Sequence, residues 1–227
     1  MASDLLANIV WHSLAGAHAQ FSCGTDEARR YCPGFSPIVG FRNAQDPNFD
    51  ALVPYCAPGE RFYCGDWSGP QPAGWRIDAE SPAYQLVWDA PPPDGDGTLS
   101  PVCLGREHVP HMLELVEVTH PGPFGPRTHE LGEYVGLFER DRLVAMAGER
   151  MHAGALREVS GVCTLPEFQG RGLARRLVAG LVRRQLRRKE TPFLHVMADN
   201  VSAIRMYERM GFRRHAQVTL RVVSRVP

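Results

Sequence analysis

The sequence predicts an α/β fold in which helices pack on a mixed sheet, and three observations support this class. Hydrophobic residues make up 44% of the 227 residues, which is ample for a packed core. Beyond residue 97, stretches with the periodicity of strands alternate with stretches that have the periodicity of helices. Residues 172–188 carry an apolar stripe at helical spacing, with arginines on the outer face. We therefore expect a long helix packed on a sheet in the second half of the chain.

The first part of the chain gives weaker signals. Residues 3–20 can form an amphipathic helix, and prolines interrupt the stretch that follows, to about residue 57. Short aromatic-rich apolar runs at residues 61–63 and 84–88 are typical of strands.

A run rich in proline and glycine, residues 91–97, is typical of an exposed linker, and we place a domain boundary there. Residues 1–97 are then an additional N-terminal α/β segment, and residues 98–227 are the main domain. The N-terminal segment carries no recognisable motif. A degenerate half-domain, a lid and a dimer contact all stay open as interpretations.

The main domain is predicted as an alternation of strands and helices around one sheet. Its predicted helices cover residues 106–118, 172–188 and 201–209, and its predicted strands cover residues 134–139, 143–150, 157–164, 193–197 and 216–222.

The charges balance overall but are unevenly distributed along the chain. Arg plus Lys and Asp plus Glu each number 25, yet most basic residues lie after residue 139 and most acidic residues before it. The basic half suits an anionic partner, which is either a phosphorylated cofactor or a nucleic acid.

Composition also disfavours several classes of protein. The six cysteines include no CxxC pair and the nine histidines form no HExxH motif, so we expect reduced thiols and no metal site. No apolar run approaches the roughly 18 residues of a membrane span. Asp4 stands where a secretory leader would carry basic residues. A cytoplasmic protein with no membrane partner is expected.

A glycine-rich turn at residues 169–174 lies between a predicted strand and the long predicted helix. Glycines let successive backbone N–H groups converge, and a helix N-terminus adds about half a unit of positive charge. The turn therefore suits a pyrophosphate, although any turn from strand to helix can carry glycines.

Downstream of the turn, Asn200 begins a predicted helix and Tyr207 follows at a spacing that puts both on one face. With residues 157–164 and 169–174, the run 200–212 resembles the GNAT superfamily of N-acetyltransferases. The family's Asn-x-x-Ala-x-x-x-Tyr-x-x-x-Gly-Phe pattern is matched throughout this run. The resemblance covers roughly residues 131–215 and implies a GNAT-like acyltransferase fold; the likeness to glycine N-acyltransferases is looser.

The resemblance implies acetyl-CoA as co-substrate. Strand backbone would pair with the pantetheine arm, an N–H near Val162 would polarise the thioester carbonyl, and the glycine turn would hold the pyrophosphate. Tyr207 would protonate the departing thiolate. The residues implied to bind the cofactor are Val162, Cys163, Thr164, Gln169, Gly170, Arg171, Gly172, Leu173, Ala174, Asn200, Ala203 and Tyr207.

Glu158 is the candidate catalytic base for the attacking amine. In an extended strand it lies about 13 Å from Val162, so a water relay is the favoured arrangement, and a bulge at Gly161 would shorten the gap. In the alternative interpretation Glu158 only pairs with a neighbouring arginine.

Other polar residues have simpler interpretations. Cys163 is expected to be a core thiol rather than a nucleophile, because direct transfer needs no acyl-enzyme. His195 is expected to be a hydrogen-bonded sheet histidine. His120, Arg127 and His129 occupy the loop that shapes the acceptor pocket in related enzymes, either as acceptor contacts or as solvated residues.

The leading hypothesis is an enzyme that transfers an acetyl or other acyl group from CoA directly to a primary amine of a small molecule or peptide. A homodimer is one expected assembly. A non-catalytic acyl-CoA sensor and a transferase directed at nucleic acid or charged tRNA are the alternatives, although the arginine-rich helix has no interleaved aromatic platform for bases.

Overall fold

A computed structural model describes residues 2–95 and 100–226. Eleven strands within these ranges form one sheet. The strands are β1 (Ser22–Gly24), β2 (Ala28–Tyr31), β3 (Ile38–Phe41), β4 (Arg61–Gly65), β5 (Trp75–Trp88), β6 (Val102–Cys103), β7 (Tyr134–Glu139), β8 (Arg142–Ala153), β9 (Leu156–Thr164), β10 (Thr191–Met197) and β11 (Phe212–Arg225). The α-helices are α1 (Ala2–Leu6), α2 (Ile9–His12), α3 (Val109–Thr119), α4 (Leu173–Arg187) and α5 (Val201–Met210).

The sheet is mixed and carries helices, which confirms the predicted α/β class. Its strand order is β1-β2-β3-β4-β11-β5-β10-β9-β8-β7-β6. Two neighbouring pairs, β3 with β4 and β9 with β10, are parallel, and the other neighbours are antiparallel.

The chain before residue 97 is built into this sheet. β5 lies between β10 and β11 and is antiparallel to both. Residues on either side of the predicted boundary therefore share one hydrogen-bonded sheet. The boundary itself falls within residues 96–99, outside the described residues, so the division into segments 1–97 and 98–227 stays a prediction.

The main-domain elements were predicted well, and the N-terminal helix was not. The predicted helix over residues 3–20 is interrupted twice: α1 ends at Leu6 before α2 begins at Ile9, and Gly16 leaves helical geometry at φ −114° and ψ −110°. Glycine has low helix propensity, and the hydroxyl of Ser22 donates to the Leu14 carbonyl at 2.8 Å. The strands β1 to β3 were missed, because runs of three or four residues are too short to show a period.

One face of the sheet, the helix face, is covered by α4 and α5. Val178 and Leu181 of α4 are buried against Val159, Leu194 and Phe212. Side chains alternate between the faces along each strand: in β10, Leu194 lies on this face and Phe193 on the opposite one.

The opposite face, the N-terminal face, is covered by residues 5–35 and by α3. Ile9 and Leu14 pack there on Leu156 and Phe193. Farther along the same face, α3 packs on Tyr134, Met146 and Cys163; the contacting helix residues are Met112 and Leu115. Strand alternation puts Glu158 on this face.

Candidate active site

The parallel strands β9 and β10 separate at the centre of the sheet. Their residues pair from Leu156 with Thr191 to Glu158 with Phe193, and the pairing stops there. β10 continues instead along β5, up to the pair of Met197 with Ala83. The second half of β9 therefore presents a backbone edge that β10 does not cover.

The same half of β9 contains a bulge at Gly161. The register with β8 shifts between the pairs Gly148–Ser160 and Met146–Cys163, and Gly161 has φ +61°. A bulge leaves one extra residue outside the ladder and turns the strand. The bulge considered for this position from the sequence is present, immediately before Val162 and within the half of β9 that β10 does not cover.

The glycine turn leads from β9 into α4 and is open. Gly170 and Gly172 have φ +74° and +72°, and a Cβ at either would meet nothing within 4 Å. Gly172 is the N-cap residue of α4, and no side chain caps this helix. The first N–H groups of α4 are therefore available to an anion.

The turn is held by contacts of its own side chains. Gln169 donates from Nε2 to the Thr164 carbonyl at 3.3 Å. The guanidinium of Arg171 donates to the Glu167 carbonyl at 3.2 Å and lies 4.7 Å from the ring centre of Phe168. These contacts hold the Arg171 guanidinium beside the open turn.

Asn200 and Tyr207 lie on α5, as the sequence predicts. The side-chain oxygen of Asn200 caps the helix by accepting a hydrogen bond from the Ala203 N–H at 3.1 Å. The side-chain NH₂ group of Asn200 remains available as a donor. Tyr207 is buried and packs edge-on against Phe212. Burial, together with the proximity of Cys163, raises the pKa of Tyr207 above its ordinary value, so it holds its proton at neutral pH.

The hydroxyl of Thr164 is buried without a hydrogen-bond partner. A polar atom in this state is uncommon in a folded protein and indicates a group that is completed by a ligand or water. Thr164 lies at the end of β9, between the bulge and the glycine turn. An amide-bearing arm laid along this edge fits the donor and acceptor groups present.

A cavity of about 540 Å³ lies on the helix face between α4 and α5. Arg175 and Ala179 line it from α4, and Met206 and Met210 from α5. It adjoins the first turn of α4 and brings one more arginine toward an anionic ligand.

Glu158 is buried on the N-terminal face and fully engaged. Its carboxylate accepts two hydrogen bonds from Arg150 at 2.9 Å each and one from the Met151 N–H at 3.2 Å, and it lies 2.9 Å from Nδ1 of His195. Burial alone would raise the pKa of Glu158, but the charge of Arg150 and the hydrogen bonds from His195 and Arg150 hold it well below its ordinary value. The contacts are those of the arginine-pairing interpretation.

The second register shift of β8 explains why these groups meet. The shift lies between Glu149 and His152, opposite Glu158, so β8 bulges there. The Glu158 carboxylate takes the place of the strand partner that the Met151 N–H has lost. His195 also contacts Nε2 of Gln85 at 3.3 Å, which fits its predicted place as a hydrogen-bonded sheet histidine.

The remaining predicted residues do not join this cluster. Cys163 is packed among apolar side chains, and burial raises its pKa to about 11, as expected of a core thiol. Arg127 stacks on Phe35 and pairs with Glu130 at 2.8 Å. His129 is half-buried, and its Nδ1 lies 3.1 Å from the Pro126 carbonyl oxygen.

Two buried polar side chains beside the bulges were not singled out from the sequence, Arg150 and Tyr134. Both lie on strands whose local pattern is that of ordinary sheet residues. The pairing of β8 with its neighbours β7 and β9, and the bulges in it, bring them to Glu158 and Gly161, so no pattern within one strand pointed to them.

Metal-binding and membrane-spanning features are not found in the described ranges. Within residues 2–95 and 100–226, no three His, Cys, Asp or Glu side chains are grouped as metal ligands. None of the helices in this part of the chain is long and apolar enough to cross a membrane.

Comparison with known proteins gives partial and whole-chain similarities. The FR47-like protein family model matches residues 134–222. The mycothiol acetyltransferase of Streptomyces griseus is 43% identical over 82 residues, which is 35% of this chain and 27% of that protein. That of Gordonia bronchialis is 39% identical over 77 residues, 34% of this chain and 25% of that protein. The matches thus span about a quarter of the length of these curated relatives.

The whole-chain similarity is to a solved structure. The structure of a putative acetyltransferase from the GNAT family of Novosphingobium aromaticivorans aligns with a TM-score of 0.87 and 34% identity, covering 98% of this chain and 99% of that one. A GCN5-related N-acetyltransferase-like protein from Streptococcus suis shares the fold, with a TM-score of 0.59 and 15% identity over 95% of this chain and 92% of that one. Together with the separated strands, the bulge and the glycine turn, the whole-chain match shows that this chain belongs to the GNAT family of N-acetyltransferases.

Proposed function

We propose that this protein is an acetyl-CoA-dependent N-acyltransferase that transfers an acetyl or other acyl group directly to a primary amine of a small molecule or peptide. One observation carries the proposal: the uncovered, bulged edge of β9 ends at the open glycine turn that begins α4. A nucleotide-linked thioester needs an edge for its amide arm and a site for its pyrophosphate, and these two features adjoin.

The cofactor residues follow from this placement. The N–H groups from Gly170 to Ala174 bind the pyrophosphate, with added charge from Arg171. The Thr164 hydroxyl and the adjoining backbone of residues 162–164 pair with the amide arm. Asn200 donates from its free amide group, because its carbonyl oxygen caps α5.

Acetyl-CoA supplies an acyl group activated as a thioester. The Val162 N–H, turned by the bulge, polarises the carbonyl and stabilises the charge that develops on its oxygen. Tyr207, protonated and buried on the helix face, gives its proton to the departing thiolate. These are the two groups on which we expect the rate to depend most.

Direct transfer is favoured over an acyl-enzyme. Cys163 is the thiol nearest the bulge along β9, and its pKa of about 11 keeps it protonated and weakly nucleophilic at neutral pH. The amine then attacks the thioester carbon itself and the C–S bond breaks. The proton that the nitrogen loses as the amide forms passes to solvent, from which Tyr207 regains the proton it gives to the thiolate.

Glu158 is proposed here as a positioning residue. A carboxylate with a lowered pKa and four contacts is a poor acceptor for the proton of an amine. Its contacts with Met151 and His195 instead hold β8 and β10 around β9. The pH profile of turnover by a Glu158→Gln variant distinguishes this positioning role from the predicted role as a base, direct or through water.

The acceptor named for the mycothiol acetyltransferases is not assigned to this chain, because those matches cover only about a third of it. We propose a reducing, cytoplasmic location, since all six cysteines are free thiols. The homodimer stays a prediction.

The test is release of free CoA thiol from acetyl-CoA in the presence of a panel of primary amines and amine-bearing peptides. We expect at least one amine to accelerate release by the wild-type protein, with a Tyr207→Phe variant as the impaired control. Saturable binding of acetyl-CoA without acceleration by any amine would instead support the non-catalytic sensor.

A further inference from the structure

The hydroxyl of Tyr134 is buried on the N-terminal face without a hydrogen-bond partner. The residue is 2% exposed, and its Oη has no partner within the described part of the chain. Leaving a buried hydroxyl unpaired costs about 1–3 kcal/mol. A group held in this state calls for an explanation in terms of function or of a ligand.

Two glycines make room for this side chain. Tyr134 begins β7 opposite Gly148, where a Cβ would lie 2.2 Å from the ring, so only glycine is tolerated under the ring. The ring then extends to the neighbouring strand β9. A Cβ on Gly161 would lie 3.0 Å from Cε1 and 3.4 Å from Oη of Tyr134. The glycines thus bring the hydroxyl to the bulge that precedes Val162.

The surroundings keep the hydroxyl in place and protonated. Phe124 packs edge-on against the ring at 5.7 Å between centroids. Burial raises the pKa of Tyr134, and the charge of Arg150 opposes this only in part. A neutral phenol that is fixed at one point can both donate and accept a hydrogen bond there.

The position on the sheet indicates which reactant the hydroxyl meets. The glycine turn, α5 and the cavity between the helices lie on the helix face, whereas Tyr134 lies on the N-terminal face. A nucleophile must approach the thioester carbon from a side that the cofactor does not fill. At the bulge, Gly161 and Val162 are only half-buried, so the backbone of β9 is accessible there.

Resting on the proposed function, we propose that the Tyr134 hydroxyl contacts the acceptor amine, accepting one of its N–H groups and so directing the nitrogen lone pair toward the carbonyl. The amine completes the hydrogen bond that the fold leaves unmade. A neutral phenol suits the neutral amine that attacks, because no charge has to be desolvated in forming the contact.

The test compares Tyr134→Phe with Tyr31→Phe. Tyr31 is equally buried, but its hydroxyl is 2.9 Å from Nδ1 of His18 and so has a partner within the fold. For Tyr134→Phe we expect a melting temperature equal to or above that of the wild type, and a kcat/KM for the amine lowered by about tenfold. Its affinity for acetyl-CoA should be unchanged. Tyr31→Phe should melt lower and keep its kcat/KM.

Several outcomes would overturn the assignment. An unchanged kcat/KM in Tyr134→Phe would do so, and so would a lowered melting temperature, which would show that the hydroxyl has a partner in the fold. If no amine of the panel is acetylated, the slow release of CoA thiol with water as the nucleophile is measured for the wild type and for Tyr134→Phe. Equal rates in these two proteins would also overturn the assignment. Calorimetry on the wild type distinguishes the two failures. If the protein binds no acetyl-CoA, the proposed function fails and this assignment fails with it; if it binds acetyl-CoA, the outcomes above overturn this assignment alone.

Discussion

The two faces of the sheet around β9 are built in different ways. On the helix face, the glycine turn leads directly into α4 and Asn200 caps α5, so each of these features forms within one short stretch of the chain. On the N-terminal face, Glu158 of β9 meets Arg150 of β8 and His195 of β10, under residues 5–35 that come from the start of the chain. The turn and the helix caps of the helix face are thus specified locally, whereas the N-terminal face also depends on a segment from the start of the chain.

Two buried glutamates show what this difference means for stability. Glu149 on the helix face bonds Gln185 at 3.0 Å and Arg188 at 2.5 Å, and the Arg188 side chain is 39% exposed. Glu158 on the N-terminal face pairs with Arg150, whose side chain is only 11% exposed. The helix-face network can recruit water if it is broken, whereas the N-terminal-face network cannot.

The largest expected effect is on turnover, on the helix face. Tyr207→Phe removes the proton donor for the departing thiolate, so kcat should fall by about 10²- to 10⁴-fold. The Kd for acetyl-CoA should stay within about twofold. Steady-state thiol release and calorimetry measure the two quantities, and Tyr31→Phe is the matched buried control on the other face. Near-normal kcat in Tyr207→Phe would remove its assignment as the acid.

The second effect compares the two glutamates. Glu158→Gln leaves the Arg150 charge buried without its partner, and we expect a loss of about 3 kcal/mol in the free energy of unfolding. Glu149→Gln should cost about 1 kcal/mol, because Arg188 can turn to water. Urea denaturation of both variants decides this. Equal losses would show that the faces do not differ in this way.

A third effect concerns the pH dependence of the N-terminal face. Burial, with the charges of His152 and Arg157, lowers the pKa of His18 from 6.5 to about 4. Between these values the unfolded chain binds more protons than the folded one, so stability is full above pH 6.5 and is lost as the pH falls toward 4. We expect the free energy of unfolding to fall by about 2 kcal/mol between pH 7 and pH 5 because of His18.

A His18→Gln variant tests this assignment. Its denaturation midpoint in urea should depend less steeply on pH between 7 and 5 than that of the wild type. Identical pH profiles would show that His18 is not the group responsible.

The smallest effect compares two glycines with the same backbone φ. Gly172 in the turn and Gly74 before β5 both have φ +72°, and a Cβ at either would meet nothing within 4 Å. Alanine at either should cost about 1–2 kcal/mol in the left-handed region. Only Gly172→Ala should weaken acetyl-CoA binding, by about fivefold, because it shifts the N–H groups of the turn. Equal affinities in the two variants would argue against the turn as the pyrophosphate site.

The same contrast explains what the sequence could predict. The sequence allowed two features to be identified, the turn at residues 169–174 and the pair Asn200 and Tyr207. Each depends only on the spacing of residues within one short stretch of the chain. The insertion of β5 between β10 and β11 was missed, because pairing between strands more than a hundred residues apart leaves no period in either strand. The unpaired hydroxyl of Tyr134 was missed because it depends on how the side chain packs across the three consecutive strands β7, β8 and β9, which leaves no mark in the sequence.

Glu158 shows the limit most clearly. The sequence identified the residue and the alternatives of base and arginine partner, but the choice depends on a bulge in β8 that has no sequence signal. The second face of the site therefore required the three-dimensional structure.

Calorimetric titration of the wild-type protein with acetyl-CoA tests the proposed cofactor site most directly, with the melting temperature followed in parallel. We expect saturable binding at one molecule per chain and a higher melting temperature in its presence. Neither heat nor a thermal shift with acetyl-CoA or CoA, at concentrations up to millimolar, would contradict the assignment of β9 and the glycine turn as an acetyl-CoA site.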